Sequence, residues 1–169
     1  SLHDALPICL EGFDWPVSEM TFEGLRLSYI DAGPRDGPVA LLMHGMPTWS
    51  FLNRRIIARL VAAGWRCIAA DHIGFGRSDK PLGTGAYSYS GQVAWMREWI
   101  EGLGLTGMVL GCQDWGSLIG LRLVAEMPER FAGVVLSNGG LPEGQTPPRA
   151  FAIAASAVLR SSCTRCTAG

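Results

Sequence analysis

The stretch VLGCQDWGSLIG (residues 109–120) joins two periodicities at one charged residue. Val109 and Leu110 end a continuously apolar run, the pattern of a strand buried on both faces. Leu118, Ile119, Leu121 and Leu123 then recur as one face of a helix. Asp114 therefore sits on a tight strand-to-helix turn, with Trp115 directly behind it. Two roles suit an aspartate there. It can cap the helix with its side chain. Alternatively, the turn is a strained elbow that lifts a reactive carboxylate clear of the sheet and leaves the next N–H free to meet negative charge. The elbow requires small residues two positions before and two after its apex, because bulk would clash there. Cys112 and Gly116 occupy those positions, which favours the elbow.

Outward from this turn, apolar strands alternate with helices. LRLSYIDAG (25–33) alternates as a strand, and GPRDGP (33–38) breaks it. VALLMHG (39–45), WRCIAA (65–70), residues 107–112 and FAGVVLSNGGLP (131–142) read as further strands. Helices are predicted over 49–63, with Phe51, Leu52, Ile56 and Leu60 at helical spacing, over 89–104 with Ser90 as cap, and over 115–127 before Pro128. Such alternation predicts an α/β fold, a mostly parallel sheet with helices on both faces. Ligands bind such sheets at the carboxyl ends of the strands. HGMPTW (44–49), DHIGFGRSD (71–79), QDWG (113–116) and SNGGLP (137–142) all follow strand ends, so four loops converge on one rim.

Composition narrows the partners. The 169 residues are 48% hydrophobic and 17% charged, enough for one domain with a real core. A net charge of −1 gives no argument for nucleic acid or an anionic membrane. No apolar run approaches the roughly 18 residues a membrane helix needs. SLHDALPICL (1–10) lacks the basic start of a secretory leader, and a cytoplasmic location is expected. The five cysteines are too scattered for a disulfide framework. Cys67 and Cys112 read as small buried hydrophobes. Cys163 and Cys166 form a lone CxxC, short of the four ligands a structural zinc takes, so no metal is expected. Gly45 in the first rim loop permits close approach and Pro47 fixes the turn. His44 reads as a residue that orients this loop by hydrogen bonding rather than as a base. Asp71 and Asp79 read as turn and cap residues.

HGMPTWSFLNRRII (44–57), DHIGFGRSDKP (71–81), GCQDWGSLIGLR (111–122) and SNGGLP (137–142) together resemble the haloalkane dehalogenases of the α/β-hydrolase superfamily, in order and spacing. The resemblance covers about residues 20–150. Epoxide hydrolases share the Asp-Trp-Gly elbow, but usually with His before the Asp and HGFP in the first loop. Gln113 and PTWSF (47–51) favour the dehalogenases. The resemblance implies an α/β-hydrolase fold with no cofactor, acting on small apolar halogenated substrates. Asp114 attacks the halogen-bearing carbon, halide leaves, and a His-activated water hydrolyses the ester. Trp115 would bind halide through its indole N–H, and the backbone N–H groups of Met46 and Trp115 would form the oxyanion hole. His44, Gly45, Pro47 and Gly116 would shape the loops.

Departures from the family pattern shape the remaining expectations. Relatives commonly carry Asn or Glu where Met46 stands, and a thioether donates no hydrogen bond. A tryptophan of the cap domain would then complete the halide site, yet all six tryptophans precede residue 145. The family's catalytic His and its orienting acid also follow the cap, whereas His3, His44 and His72 stand out of that order. The expected organisation is an extension over 1–19, the first half of the hydrolase core over 20–144, and the start of a cap over 145–169, with both tails non-native. Such a chain is expected to be alkylated once without turning over. The rivals are an epoxide hydrolase, for which Tyr29, Tyr87 and Tyr89 would be the available acids, and a non-catalytic binding protein.

Overall fold

The computed structural model describes residue 10 and residues 12–140. Six strands form one sheet: β1 (Val17–Phe22), β2 (Leu25–Ala32), β3 (Val39–Met43), β4 (Arg66–Ala70), β5 (Met108–Gln113) and β6 (Phe131–Ser137). Their order is β1-β2-β4-β3-β5-β6. The last four strands are parallel, and β1 and β2 run antiparallel at one edge. The crossovers are α1 (Arg54–Ala62), α2 (Tyr89–Leu103) and α3 (Trp115–Glu126). This is the predicted α/β architecture. Among these residues no helix is long and apolar enough to cross a membrane.

The strands read as unbroken apolar runs because each face of the sheet has its own core. Leu41 and Met43 of β3 point to the side of α2 and α3, packing with Met96, Trp99, Ile100, Ile119 and Leu123. Ala40 and Leu42 point the other way, towards Ile57 of α1. Cys67 and Cys112 are buried in this interior as free thiols. Burial pushes them up to about 11 and about 12 respectively, so both stay protonated at neutral pH.

Several boundaries differ from the sequence reading. Strand β1 was not expected. It pairs with β2 through a two-residue turn, Glu23 (φ 49°) and Gly24 (φ 75°), whose positive dihedrals suit a tight hairpin. The predicted helix 49–63 divides into a 3-10 turn, Ser50–Asn53, and then α1. Ile57, not Ile56, enters the core, and Ile56 is exposed. The cap of α2 is Ser88, whose Oγ accepts from the Gly91 N–H at 3.0 Å; Ser90 lies inside the helix. The strand that opens 131–142 runs to Ser137, where the expected loop begins. The readings of Cys163 and Cys166, of the tails and of the segment 145–169 lie outside the described residues.

On the α1 side a groove of about 480 Å³ remains open, lined among others by Leu42, Ile56, Val109, Gly111 and Val135. Val135 is 62% exposed there. The groove reaches Gln113 at the end of β5 but includes neither Asp114 nor Trp115. It is the uncovered flank of the sheet and stands apart from the elbow.

Candidate active site

Asp114 lies between the last residue of β5 and the first of α3, with φ 51° and ψ −127°. For a non-glycine residue that conformation costs of order 1–3 kcal/mol, and the surroundings must impose it. They do so through hydrogen bonds to its main chain. The Asp114 N–H donates to the Asn138 carbonyl at 3.2 Å. The Asp114 carbonyl accepts from the Ser117 N–H at 2.9 Å and from the Ser117 hydroxyl at 2.5 Å.

The carboxylate makes no capping bond to its own helix. Its Oδ1 instead accepts the backbone N–H of Met46, 3.0 Å away in the loop after β3. Asp114 is therefore an elbow residue rather than a cap. The flanking glycines are explained by the same approach. A Cβ on Gly45 would lie 2.5 Å from the Asp114 Cβ and 2.6 Å from Oδ1. A Cβ on Gly116 would lie 2.5 Å from the His44 carbonyl oxygen and 2.6 Å from that of Met43. The two loops can meet only because both positions lack side chains. The Met46–Pro47 peptide at this loop is cis.

Trp115 opens α3 and is 39% exposed, large for an indole beside a sheet end. Neither its backbone N–H nor its ring N–H has an acceptor among the described residues. By contrast, Trp99 is fully buried in the core.

His44 is fully buried. The His72 backbone N–H donates to its Nε2 at 2.9 Å, so the ring proton must sit on Nδ1. Nδ1–H then donates to the Gly45 carbonyl at 2.9 Å. Burial holds His44 below its ordinary value of 6.5, so it is neutral. Its ring bonds run to the loop backbone on both sides, at Gly45 and His72.

Sequence reasoning missed three supports. Asn138, at φ 46°, holds the elbow's N–H, and only its place in a rim loop was visible beforehand. His72 lies against His44, ring centroids 4.2 Å apart. Asp71 does more than close a turn. Its buried carboxylate accepts from the Ser50 N–H at 2.9 Å and from the Arg77 N–H and Nε at 2.9 and 3.0 Å, which ties two rim loops together. Asp79 does hold a backbone group, accepting from the Arg26 N–H at 2.9 Å. Among the described residues no cluster of His, Cys, Asp and Glu has metal-binding proximity.

Among the described residues no tyrosine is hydrogen-bonded to Asp114. Tyr29 packs in the core against Trp99. The Tyr87 and Tyr89 hydroxyls donate to the carbonyls of Pro81 and Leu118 at 2.9 and 3.0 Å.

Known proteins resemble this arrangement. A haloalkane dehalogenase of Mycolicibacterium paratuberculosis is 52% identical over 130 residues, 76% of this chain and 43% of its own. One from Psychrobacter cryohalolentis is 53% identical over 120 residues, 71% of this chain and 40% of its own. Among solved structures, the haloalkane dehalogenase of Paraglaciecola agarilytica NO2 matches with a TM-score of 0.70 at 38% identity, covering 80% of this chain and 49% of that one. An epoxide hydrolase mutant of Vigna radiata matches at 0.66 and 28% identity, covering 73% and 38%. The chain thus spans less than half the length of these relatives. The family model of the alpha/beta hydrolase fold matches residues 38–159. With that match and the elbow geometry, this chain belongs to the alpha/beta hydrolase fold family.

Proposed function

We propose that this chain supplies the nucleophile half of a haloalkane dehalogenase. The observation that carries the reading is the Asp114 carboxylate, which stands on a strained elbow and receives the Met46 N–H rather than capping its own helix. That bond occupies Oδ1 and leaves Oδ2 as the attacking oxygen. Oδ2 forms a bond to the halogen-bearing carbon, and the carbon–halogen pair departs with the halide. A carboxylate needs no base for this step. The unspent indole N–H of Trp115 receives the halide. In the second step water adds to the alkyl ester, alcohol leaves, and the oxyanion rests on the N–H groups of Met46 and Trp115.

The Met46 side chain offers the halide no donor, so a second donor comes from a residue beyond those described. The same holds for the base of the second step. His44 and His72 are buried and committed to the loop. With no base among the described residues, the proposal is that the ester accumulates. Among the described residues, the Tyr87 and Tyr89 hydroxyls are committed to the Pro81 and Leu118 carbonyls.

Incubation with 1-bromobutane should release one equivalent of bromide per chain and then stop, while styrene oxide should give no adduct. Trp115→Phe should slow the release by on the order of a hundredfold through loss of one preorganised donor. Faster reaction with styrene oxide than with 1-bromobutane would transfer the assignment to epoxide opening.

A further inference from the structure

Gly45 poses a mechanical problem. It must be glycine because a Cβ would strike Asp114, yet glycine is the least restrained residue of any loop. The Met46 N–H that reaches Asp114 belongs to the peptide immediately after it. In a trans peptide the N–H and C=O point in opposite directions, so whatever holds the Gly45 carbonyl aims the Met46 N–H. Thr48 holds that carbonyl from one side, through its N–H at 3.0 Å and its hydroxyl at 2.5 Å. His44 Nδ1–H holds it from another at 2.9 Å.

His44 is itself held at two points by one residue. The His72 backbone N–H occupies His44 Nε2 and fixes the tautomer that leaves Nδ1 protonated. The His72 ring lies 3.2 Å, at Nε2, from the His44 carbonyl, and a carbonyl can only accept, so His72 carries its proton on Nε2. Both peptides flanking Gly45 are thereby restrained. The remaining atom, His72 Nδ1, is buried without a partner. The ring's one hydrogen bond is therefore at its Nε2 end, on the His44 carbonyl.

We propose that His72 is a positioning residue: through the reciprocal pair it makes with His44, it aims the Met46 N–H at the nucleophile. The proposal rests on the reading of Asp114 as nucleophile only for its consequence on rate, not for the geometry.

The direct test is the protonation pattern of both rings in the 169-residue chain labelled with ¹⁵N-histidine. Long-range ¹H–¹⁵N spectra should show His44 protonated at Nδ1 and bare at Nε2, and His72 the reverse. The opposite tautomer at either ring overturns the proposal without any variant. Two substitutions extend the test. His72→Leu keeps the backbone donor and removes the ring donor, whereas His72→Gln places an amide N–H near the former Nε2. The leucine variant should speed Met46 amide exchange, relative to Leu110 as internal reference, and slow alkylation of Asp114 by 1-bromobutane, each by roughly tenfold or more. The glutamine variant should restore both. Unchanged Met46 exchange in the leucine variant overturns the positioning role. A Met46 response in a series where no variant, wild type included, is alkylated upholds the positioning role and removes the nucleophile reading instead.

Discussion

Two buried neutral imidazoles, packed edge to face beneath the loop that meets Asp114, make the fold sensitive to acid. Burial holds His44 and His72 below 6.5, and the neighbouring His44 lowers His72 further; Asp71 acts on His44 in the opposite sense. As pH falls past about 6.5 the unfolded chain takes up protons at both rings before the folded chain does. Stability therefore rises with pH between the folded values and 6.5 and is level above it. Urea midpoints should drop from pH 7 to pH 5, and His72→Gln should make that decline shallower; an identical slope would contradict the assignment. The raised thiols of Cys67 and Cys112 predict a second residue-level result. Neither should label with iodoacetamide in the folded chain at pH 8, and both should label in urea. Asp114 was legible from sequence because an elbow dictates small residues at fixed offsets along the chain. His72 and Asn138 were not, because their partners lie 28 and 24 positions away and are backbone atoms or hidden rings, which no local spacing encodes.

At the level of elements, the junction of β5 and α3 depends on how closely α3 starts against β3. Gly116→Ala drives a methyl into the His44 and Met43 carbonyls, both belonging to backbone that cannot swing aside. It should cost about 2–3 kcal/mol in chemical denaturation. Substitution of the true cap of α2, Ser88→Ala, should cost about 1 kcal/mol, while Ser90→Ala should fall well below that. Equal costs would return the cap to Ser90. The buried strands were legible because a parallel sheet covered on both faces demands unbroken apolar runs. Strand β1 was hidden because the apolar residues of VSEMTF, Val17, Met20 and Phe22, do not alternate, and because a Glu-Gly turn is a weaker signal than Asn-Gly or Asp-Gly. The start of the helix predicted over 49–63 was misplaced because Asp71, twenty-one residues on, takes the Ser50 N–H and tightens the first turn.

For the molecule as a whole, Ile56, Val109 and Val135 form an open apolar flank beside α1. Its apolar stripe serves both the sheet and a surface that the described residues leave uncovered. Contiguous apolar patches of this kind invite association. Val135→Lys should lower binding of a hydrophobic dye and reduce light scattering at a given concentration, without a loss of folded signal. The fold class and the rim of converging loops followed from alternation alone, whereas the groove did not, since periodicity cannot say what covers a face. The central claim is tested most directly by peptide mapping after exposure of the chain to 1-bromobutane. A single butyl ester on the peptide containing Asp114, absent from Asp114→Asn and lost at alkaline pH, is the predicted result. A wild-type chain that carries no butyl group there, or carries it only on cysteine, would contradict the account.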